Sequence, residues 1–383
     1  MKILHTNKAY AEWVGGIETV VTDLSEGMAR VGGNTVEALV CSHVNSCSTV
    51  RRVRNGVSVT YVPRWGSLAS LPISPGFFPS LGRARADILH VHEPFPLVDL
   101  AMVLRPSIAS HFSRIVVSWY SDIIRQRWAL PFYGPVIHRF LRTVDRILVS
   151  VPSLIDNSEF LLPHRDRCEV IPLGVRLDWV QRRDARAGKA ASIRGRYGTP
   201  LVLFVGRLVY YKGVEYLIEA MGKLPEARLV MIGSGPLKSQ VEAGIARHHL
   251  QQRVTVIPYA EPEDLYAFYE ACDLLVLPST ERSETYGLVQ VEAMACGKPV
   301  ISTNITTGVP FVNQHGKTGF TVPPRNVQAL VSAMAELIGN REMALRFGEY
   351  ARQRALLEFS AETMVERTLK VYRDVLSSGR TAR

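Results

Sequence analysis

The sequence has few cysteines and no pattern among them. Five (Cys41, Cys47, Cys168, Cys272, Cys296) are scattered through 383 residues. An odd, dispersed set gives neither a zinc spacing nor a disulfide framework, so a reducing cytosolic setting is expected. No apolar run approaches the roughly 18 residues that cross a bilayer, and the start, Met1-Lys2-Ile3-Leu4-His5, lacks the apolar core of a signal peptide. Low-complexity tracts and short repeats are missing too. There is no Asp-x-Asp, and Ile232-Gly233-Ser234-Gly235-Pro236 is not followed by the Gly-Lys-Ser/Thr of a Walker loop. Charged residues make up 21% and hydrophobic residues 47%, which excludes general disorder.

What is present is a basic excess, 45 Lys+Arg against 35 Asp+Glu, for a net charge of +10. It implies an anionic partner: nucleic acid, a membrane surface or a phosphorylated small molecule. The excess divides as +4 over residues 1–178 and +6 over 179–383. The basic residues are dispersed, and no recognised nucleic-acid module occurs, so a nucleic-acid partner is not expected.

The length suits two or three domains at about 150 residues each. Short apolar runs alternate with amphipathic segments. In the first half the runs are 2–5, 35–41, 57–62, 87–92, 115–118, 146–151 and 169–172, with helical patterns at 17–30 and 136–143. The rhythm breaks over 178–199, where Arg182, Arg183, Arg186, Lys189, Arg194 and Arg196 crowd a stretch with little apolar periodicity. It restarts at Leu201-Val202-Leu203-Phe204-Val205, with further strands at 228–232, 254–257, 274–277, 299–302 and 319–322 and helices at 214–221, 237–248, 263–271, 288–295 and 327–338. A long helical stretch, about 341–378, is interrupted near Ser360. The expectation is two doubly wound α/β domains, 1–178 and 200–360, joined by a linker at 179–199, with the last helix (about 361–383) packing back on the first. In such sheets ligands sit beyond the carboxyl ends of the strands, so two facing sheets make a cleft lined by both sets of loops.

The loops after strands carry the chemistry. Gly15-Gly16, before the first helix, would let the backbone approach an anion; the plain alternative is a helix-start turn. Gly206-Arg207 and Lys212-Gly213 put two cations on one loop, which suits a diphosphate or is a solvated basic turn. Gly233 and Gly235 follow the next strand. Most informative is the segment from Glu281 to Pro299. Its helix starts near Gly287, so the amides of Tyr286, Gly287 and Leu288 can bind phosphate. Glu292, two turns into the helix, can take two ribose hydroxyls, and Glu284 in the loop reaches toward the attached group; the alternative for Glu292 is an exposed helix carboxylate.

Glu284 and Glu292 form a Glu-x7-Glu motif. With Gly15-Gly16, Gly206-Arg207, Lys212-Gly213 and the run Glu-Ala-Met-Ala-Cys-Gly-Lys-Pro-Val at 292–300, the whole chain resembles the retaining glycosyltransferases of family 4, which have the GT-B fold. The resemblance implies a nucleotide-diphosphate-sugar donor held mainly by the C-terminal domain and an acceptor held mainly by the N-terminal one. It places Arg207 and Lys212 on the diphosphate, Glu292 on the ribose, Glu284 on the transferred sugar and Gly16 near the phosphates. Three segments, 121–126 (Ser-Asp-Ile-Ile-Arg-Gln), 171–175 (Ile-Pro-Leu-Gly-Val) and Ser302-Thr303-Asn304 with Thr307-Gly308-Val309-Pro310, are most similar to bacterial mannosyl- and rhamnosyltransferases of O-antigen or exopolysaccharide assembly, a subgroup that commonly uses GDP-mannose or a related GDP-hexose. One departure stands out: Tyr120-Ser121-Asp122 replaces the His-Ser-Asp frequent in relatives. A phenol hydrogen-bonds but supplies no imidazolium.

The mechanism so implied is front-face transfer with retention, driven by leaving-group stabilisation from Arg207, Lys212 and helix amides. The departing phosphate oxygen can itself take the acceptor proton. Glu284 as covalent nucleophile and Asp122 as base are the alternatives. Neither metal nor other cofactor is expected. The nearest metal-like cluster, His90-Val91-His92-Glu93, puts two histidines on one strand face without an evident third ligand. Trp65, Leu68, Leu71, Ile73, Phe77 and Phe78, and the run from Arg125 to Tyr133 with Arg127 and Trp128, mix apolar groups and cations in a way that suits an anionic membrane surface and a polyprenyl-diphosphate-linked saccharide acceptor, or ordinary packing between layers. A cytoplasmic protein peripheral on the inner membrane face is the corresponding expectation. Other classes considered are another GT-B enzyme (a sugar-nucleotide epimerase or phosphorylase) and a non-enzymatic nucleic-acid-binding protein.

Overall fold

The computed structural model describes residues 1–11, 15–68, 71–122 and 130–378. The chain forms two compact units: Met1–Gly174 together with the chain from Ala361 onward, and Val175–Ser360.

Among the described residues the first unit has ten strands: β1 (Lys2–Asn7), β2 (Thr35–Cys41), β3 (Val50–Arg54), β4 (Val57–Val62), β5 (Gly66–Leu68), β6 (Leu71–Ile73), β7 (Ala86–Glu93), β8 (Phe112–Trp119), β9 (Arg146–Val149) and β10 (Cys168–Val170). Eight form one sheet in the order β10-β9-β8-β7-β1-β2-β4-β3, while β5 and β6 make a separate hairpin. The large sheet is parallel except for β3, which runs antiparallel to β4. Its helices are α1 (Gly16–Arg30), α2 (Phe77–Arg83), α3 (Pro96–Leu104), α4 (Leu130–Leu141) and α5 (Pro152–Asn157), plus the C-terminal helix Ala361–Ser377. Strand alternation sorts β7 by face. Leu89 and Val91 join the apolar layer of Phe77, Phe95, Ile137 and Phe140 from α2–α4 and the loops beside them. His90 and His92 therefore point to the opposite face. There the C-terminal helix is anchored by Arg114, which donates to the Val375 carbonyl at 2.6 Å.

The second unit has six strands: β11 (Leu201–Val205), β12 (Arg228–Ile232), β13 (Val254–Ile257), β14 (Leu274–Leu277), β15 (Val300–Thr303) and β16 (Gly319–Val322). They form one parallel sheet in the order β13-β12-β11-β14-β15-β16. Near-continuous apolar strands such as Leu201–Val205 are fully buried, as a sheet covered on both faces requires. The helices are α6 (Arg183–Tyr197), α7 (Val214–Gly222), α8 (Lys238–Arg247), α9 (Pro262–Ala271), α10 (Leu288–Ala295), α11 (Val309–Val312), α12 (Val327–Gly339) and α13 (Arg341–Glu358). Asn326 and Asn340 cap α12 and α13 by accepting the Ala329 and Met343 amides at 2.9 and 3.0 Å.

Residues 179–199 are not an irregular linker. They hold a short turn of helix and α6, inside the second unit. Two of the crowded arginines, Arg186 and Arg194, serve docking. Arg186 is buried and reaches Glu270 of α9 at 2.7 Å, with its guanidinium 5.5 Å from the Trp179 ring centroid. A helix held mainly by ion pairs needs little apolar periodicity, so the sequence pattern did not show it.

Candidate active site

In the second unit strand order runs outward in both directions from the β11–β14 pair. That reversal opens a crevice at the carboxyl ends of the two strands, the usual ligand position in such sheets. The loops that follow them are stitched together. Thr280 donates its amide to the Tyr211 carbonyl at 2.8 Å. Gly213 lies so close to Pro278 that a Cβ would stand 2.2 Å from its carbonyl oxygen, and its φ of +63° also favours glycine. Gly206, Arg207, Lys212, Glu284, Tyr286 and Gly287 fall on these two loops.

Lys212 and Glu284 meet directly: Nζ lies 2.5 Å from Oε2, with both side chains nearly buried. Ser279 donates to the same Glu284 oxygen at 2.9 Å, and Thr303 in turn donates to the Ser279 carbonyl. Glu284 is thus held by a cation and a hydroxyl. Arg207, by contrast, is exposed and has no carboxylate partner among the described residues. Gly206, Gly233 and Gly235 bring loops together: the Gly206 amide donates to the Ile232 carbonyl at 2.9 Å, and a Cβ on Gly235 would meet the Leu208 oxygen at 2.4 Å. Their immediate role is backbone packing around the crevice.

Gly287 precedes α10 in a left-handed conformation (φ +72°). The helix begins at Leu288, so its first amides have no carbonyl one turn earlier. The Gln290 amide is already taken by the Gly287 carbonyl at 2.9 Å. Tyr286 is buried beneath, in an edge-on contact with Phe359. Glu292 is half-buried rather than exposed. Desolvation pushes its carboxyl up to about 7, and a hydrogen bond from Tyr269 of α9 holds it back. Sequence reasoning missed Tyr269 and Ser279; the signal available for Ser279 was the Ser-Thr pair after Pro278 at the end of β14.

The first unit brings together a second group. Tyr120, just beyond β8, is buried, and its hydroxyl lies 2.8 Å from Nδ1 of His92. His92 Nε2 lies 3.0 Å from Nδ1 of His5, and His90 Nε2 lies 2.8 Å from Ser118 Oγ. The hydroxyl of Tyr372 from the C-terminal helix bonds the other His90 nitrogen. A third histidine therefore does stand beside His90 and His92, contrary to the sequence expectation: His5 on the neighbouring strand, in register with His90. The ligand nitrogens lie within 4.8 Å of one another. Most of them are already hydrogen-bonded to protein groups, which fits a buried network better than an open metal site. Burial lowers all three, His5 to about 3, so the imidazoles are neutral. Burial raises the Tyr120 phenol. Asp122 is committed as well: one oxygen accepts from Trp119 Nε1 at 3.0 Å and Ser158 at 2.7 Å.

At Gly15-Gly16 the helix start already holds a carboxylate. Glu18 folds back so far that a Cβ on Gly15 would stand 2.2 Å from its Oε2, and Lys8 pairs with Glu18 at 3.3 Å. Lys8 and Glu18 belong to this group although no motif or spacing pointed to them. Ile123, Ile124, Arg125, Gln126, Arg127 and Trp128, together with Trp13 and Val14, lie outside the described residues.

Two α/β units, each on a largely or wholly parallel sheet, have the GT-B architecture. Similarity to known proteins then narrows it. Residues 14–179 match Glycosyltransferase Family 4, and residues 191–354 match Glycosyl transferases group 1. The chain is 34% identical to the O-antigen chain mannosyltransferase C of Escherichia coli, over 99% of this chain and all of that one. It is 33% identical to the D-rhamnosyltransferase WbpZ of Pseudomonas aeruginosa, over 94% of this chain and 93% of the relative. Among solved structures, sucrose-phosphate synthase from Thermosynechococcus elongatus superposes with a TM-score of 0.75 at 22% identity, covering 99% of this chain and 100% of that chain. HepE of Anabaena, solved with UDP, superposes at 0.77 and 18% identity, covering 98% and 100%. The chain belongs to the family 4 glycosyltransferases: it is an enzyme that moves a sugar from a nucleotide-sugar donor to a saccharide acceptor.

Proposed function

We propose that this enzyme transfers a hexose, mannose or a close relative, with retention of anomeric configuration, from a GDP-sugar to a polyprenyl-diphosphate-linked saccharide during surface-polysaccharide assembly. The names of the two full-length relatives support the sugar and the process. The observation that carries the chemistry is the Lys212–Glu284 pair at the β11–β14 crevice, with Arg207 exposed on the same loop.

Arg207, Lys212 and the first amides of α10 hold the diphosphate and stabilise the charge that grows on it as the glycosidic bond breaks. Glu292 accepts two ribose hydroxyls. Glu284, its carboxylate fixed by Lys212 and Ser279, accepts hydroxyls of the transferred sugar. The acceptor oxygen attacks the anomeric carbon on the face the diphosphate leaves. The carbon–phosphate-oxygen bond breaks, and the departing oxygen takes the acceptor proton. Cations at the leaving group make a metal unnecessary. Tyr120 acts by position, its hydroxyl set by His92, and Asp122 supports the Trp119–Ser158 wall rather than serving as base.

Purified enzyme offered GDP-, UDP- and ADP-sugars with a prenyl-linked saccharide tests this, with product anomers read by NMR and EDTA added in parallel. Turnover of a GDP-hexose with retained configuration and no loss in EDTA is expected. Inversion, an EDTA-sensitive rate, or release of free epimer or sugar phosphate without acceptor glycosylation overturns the corresponding part. The Glu284→Gln variant is expected to lose about 100-fold or more in kcat; near-wild-type turnover removes Glu284 from the catalytic set.

A further inference from the structure

Between Glu284 and Glu292 stands a third polar side chain, Gln290, in the first turn of α10. It is fully buried. Residues two apart on a helix face about 200° apart, so Gln290 points away from the side on which Glu292 meets Tyr269. Its side-chain Nε2 donates to the Tyr286 carbonyl at 3.0 Å. Its Oε1 is buried without a partner among the described residues. Turning the amide over would set that oxygen against the Tyr286 carbonyl, so its orientation is fixed. A methionine or leucine would fill similar space without burying an unpaired oxygen, which is costly. What a glutamine supplies here, and an apolar residue would not, is the bond to Tyr286.

That bond acts on the residue that follows. In a trans peptide the carbonyl and the next N–H point in opposite directions. Drawing the Tyr286 carbonyl toward buried Gln290 therefore turns the Gly287 N–H away from the buried side. The buried side is full: a Cβ on Gly287 would stand 2.5 Å from Leu277 Cδ2 and 2.8 Å from Gln290 Nε2. The Gly287 carbonyl accepts from the Gln290 backbone amide at 2.9 Å, which leaves the Leu288 N–H pointing back out of the helix start. One residue earlier, the Thr285 carbonyl accepts from the Gly308 amide at 2.7 Å. Three consecutive carbonyls are thus each held by the protein, two of them by Gln290. Neither the Gly287 nor the Leu288 amide has an acceptor among the described residues. Gly287 is left-handed and Leu288 is helical, a pairing in which successive N–H groups converge on an anion.

We infer that Gln290 is a positioning residue for the donor diphosphate: its side chain holds the Tyr286 carbonyl inward and so presents the Gly287 and Leu288 amides to a phosphate oxygen. The inference rests on the reading above that the first amides of α10 hold the diphosphate, and it names the side chain that aims them. Gln290 acts through the backbone and not on the donor itself.

The full chain titrated with inorganic diphosphate, with backbone amides followed by NMR, tests it. In the wild type the Gly287 and Leu288 amide protons should move downfield as the site fills. Gln290→Met keeps the length and removes the donor. In it those two shifts should shrink, and diphosphate affinity should fall about tenfold or more. Turnover of the nucleotide sugar should lose a similar factor in kcat/KM, while affinity for the free nucleoside is unchanged. A Gln290→Met protein that melts lower, yet binds diphosphate and shifts both amides as the wild type does, overturns the inference and leaves the phosphate reading standing, since Gln290 then only packs. Wild-type amides at 287 and 288 that ignore diphosphate remove the phosphate reading and the inference with it. The wild-type protein offers a further measurement should Gln290→Met not fold. One Gln290 side-chain proton should lie downfield of its free-glutamine position and exchange slowly; both protons at free-glutamine positions overturn the inference.

Discussion

At the scale of single residues, the donor crevice is governed by how each carboxylate is held. Glu292 is raised to about 7 by desolvation, and the Tyr269 hydrogen bond works against that rise. A ribose diol donates to a carboxylate more strongly than to a neutral acid. Donor binding should therefore be strongest above pH 7 and weaken as pH falls through that value, approaching tenfold in KM per pH unit well below it, about the limit for one proton. Tyr269→Phe removes the group that stabilises the carboxylate. Its acid limb should move to higher pH, while Glu292→Gln should flatten the limb. Donor KM measured from pH 5 to 9 decides; a limb that stays put in Tyr269→Phe would mean another group titrates.

Lys212 and Glu284 make a different case, because each is the other's compensation. Their side chains are 11% and 9% exposed. Removing one partner strands a nearly buried charge, so Lys212→Met should lower unfolding stability by about 3–5 kcal/mol. Adding Glu284→Gln removes the stranded charge and should recover most of that stability without recovering turnover. Denaturant melts and donor turnover measured on the same samples separate the two effects. Recovery of activity in the double variant would show that neither charge acts on the donor.

At the scale of elements, legibility followed burial. Strands such as Leu201–Val205 and Leu274–Leu277 were visible because every side chain is apolar and buried. The edge strand Val50–Arg54 was not, because all five of its residues are exposed and no face needs to be apolar. The Glu284 and Glu292 positions were legible from spacing. The partners that set their chemistry, Lys212 on one loop and Tyr269 on another helix, depend on which strands lie side by side, and spacing does not show that. His5 was invisible as a partner of His92 for the same reason: 87 residues separate them. Helix α6 is the instructive miss, since its attachment is electrostatic. Arg186 and Glu270 are each only 4% exposed in their side chains. Arg186→Ala should therefore cost about 3–5 kcal/mol, whereas Arg186→Met with Glu270→Leu should come close to wild type. Chemical denaturation of the three proteins checks it; a small loss in the single variant would mean that water reaches and solvates Glu270.

At the scale of the whole molecule, the two units should respond to acid differently. The first buries three neutral histidines whose folded pKa values are depressed, His5 to about 3. In the unfolded chain they titrate near 6.5. Below that pH the unfolded state binds the extra protons, so stability is present above about 6.5 and is lost as pH falls toward the folded values, by up to about 4 kcal/mol per pH unit for three groups. The same unit buries Glu93 beside Asp99, which accepts from Tyr133. Burial raises both carboxyls, Asp99 to about 6. Their contribution runs the other way: it is present below about 4 and is lost as pH rises through 6. Three histidines outweigh the carboxyl pair on the acid side, so the first unit should reach its maximum stability near neutral pH and fall below pH 6, by about 1.4 kcal/mol per pH unit where the carboxyl pair opposes fully. The second unit has no such cluster among its described residues and should be flatter there. His5→Leu removes the member whose Nε2 has no protein partner, and it should flatten the acid limb by about 1.4 kcal/mol per pH unit, the share of one proton. Unfolding followed through Trp119 in one unit and Trp179 in the other, from pH 4.5 to 8, reads the two units separately. Parallel acid losses at both tryptophans would show that the histidine cluster is not what sets the limit.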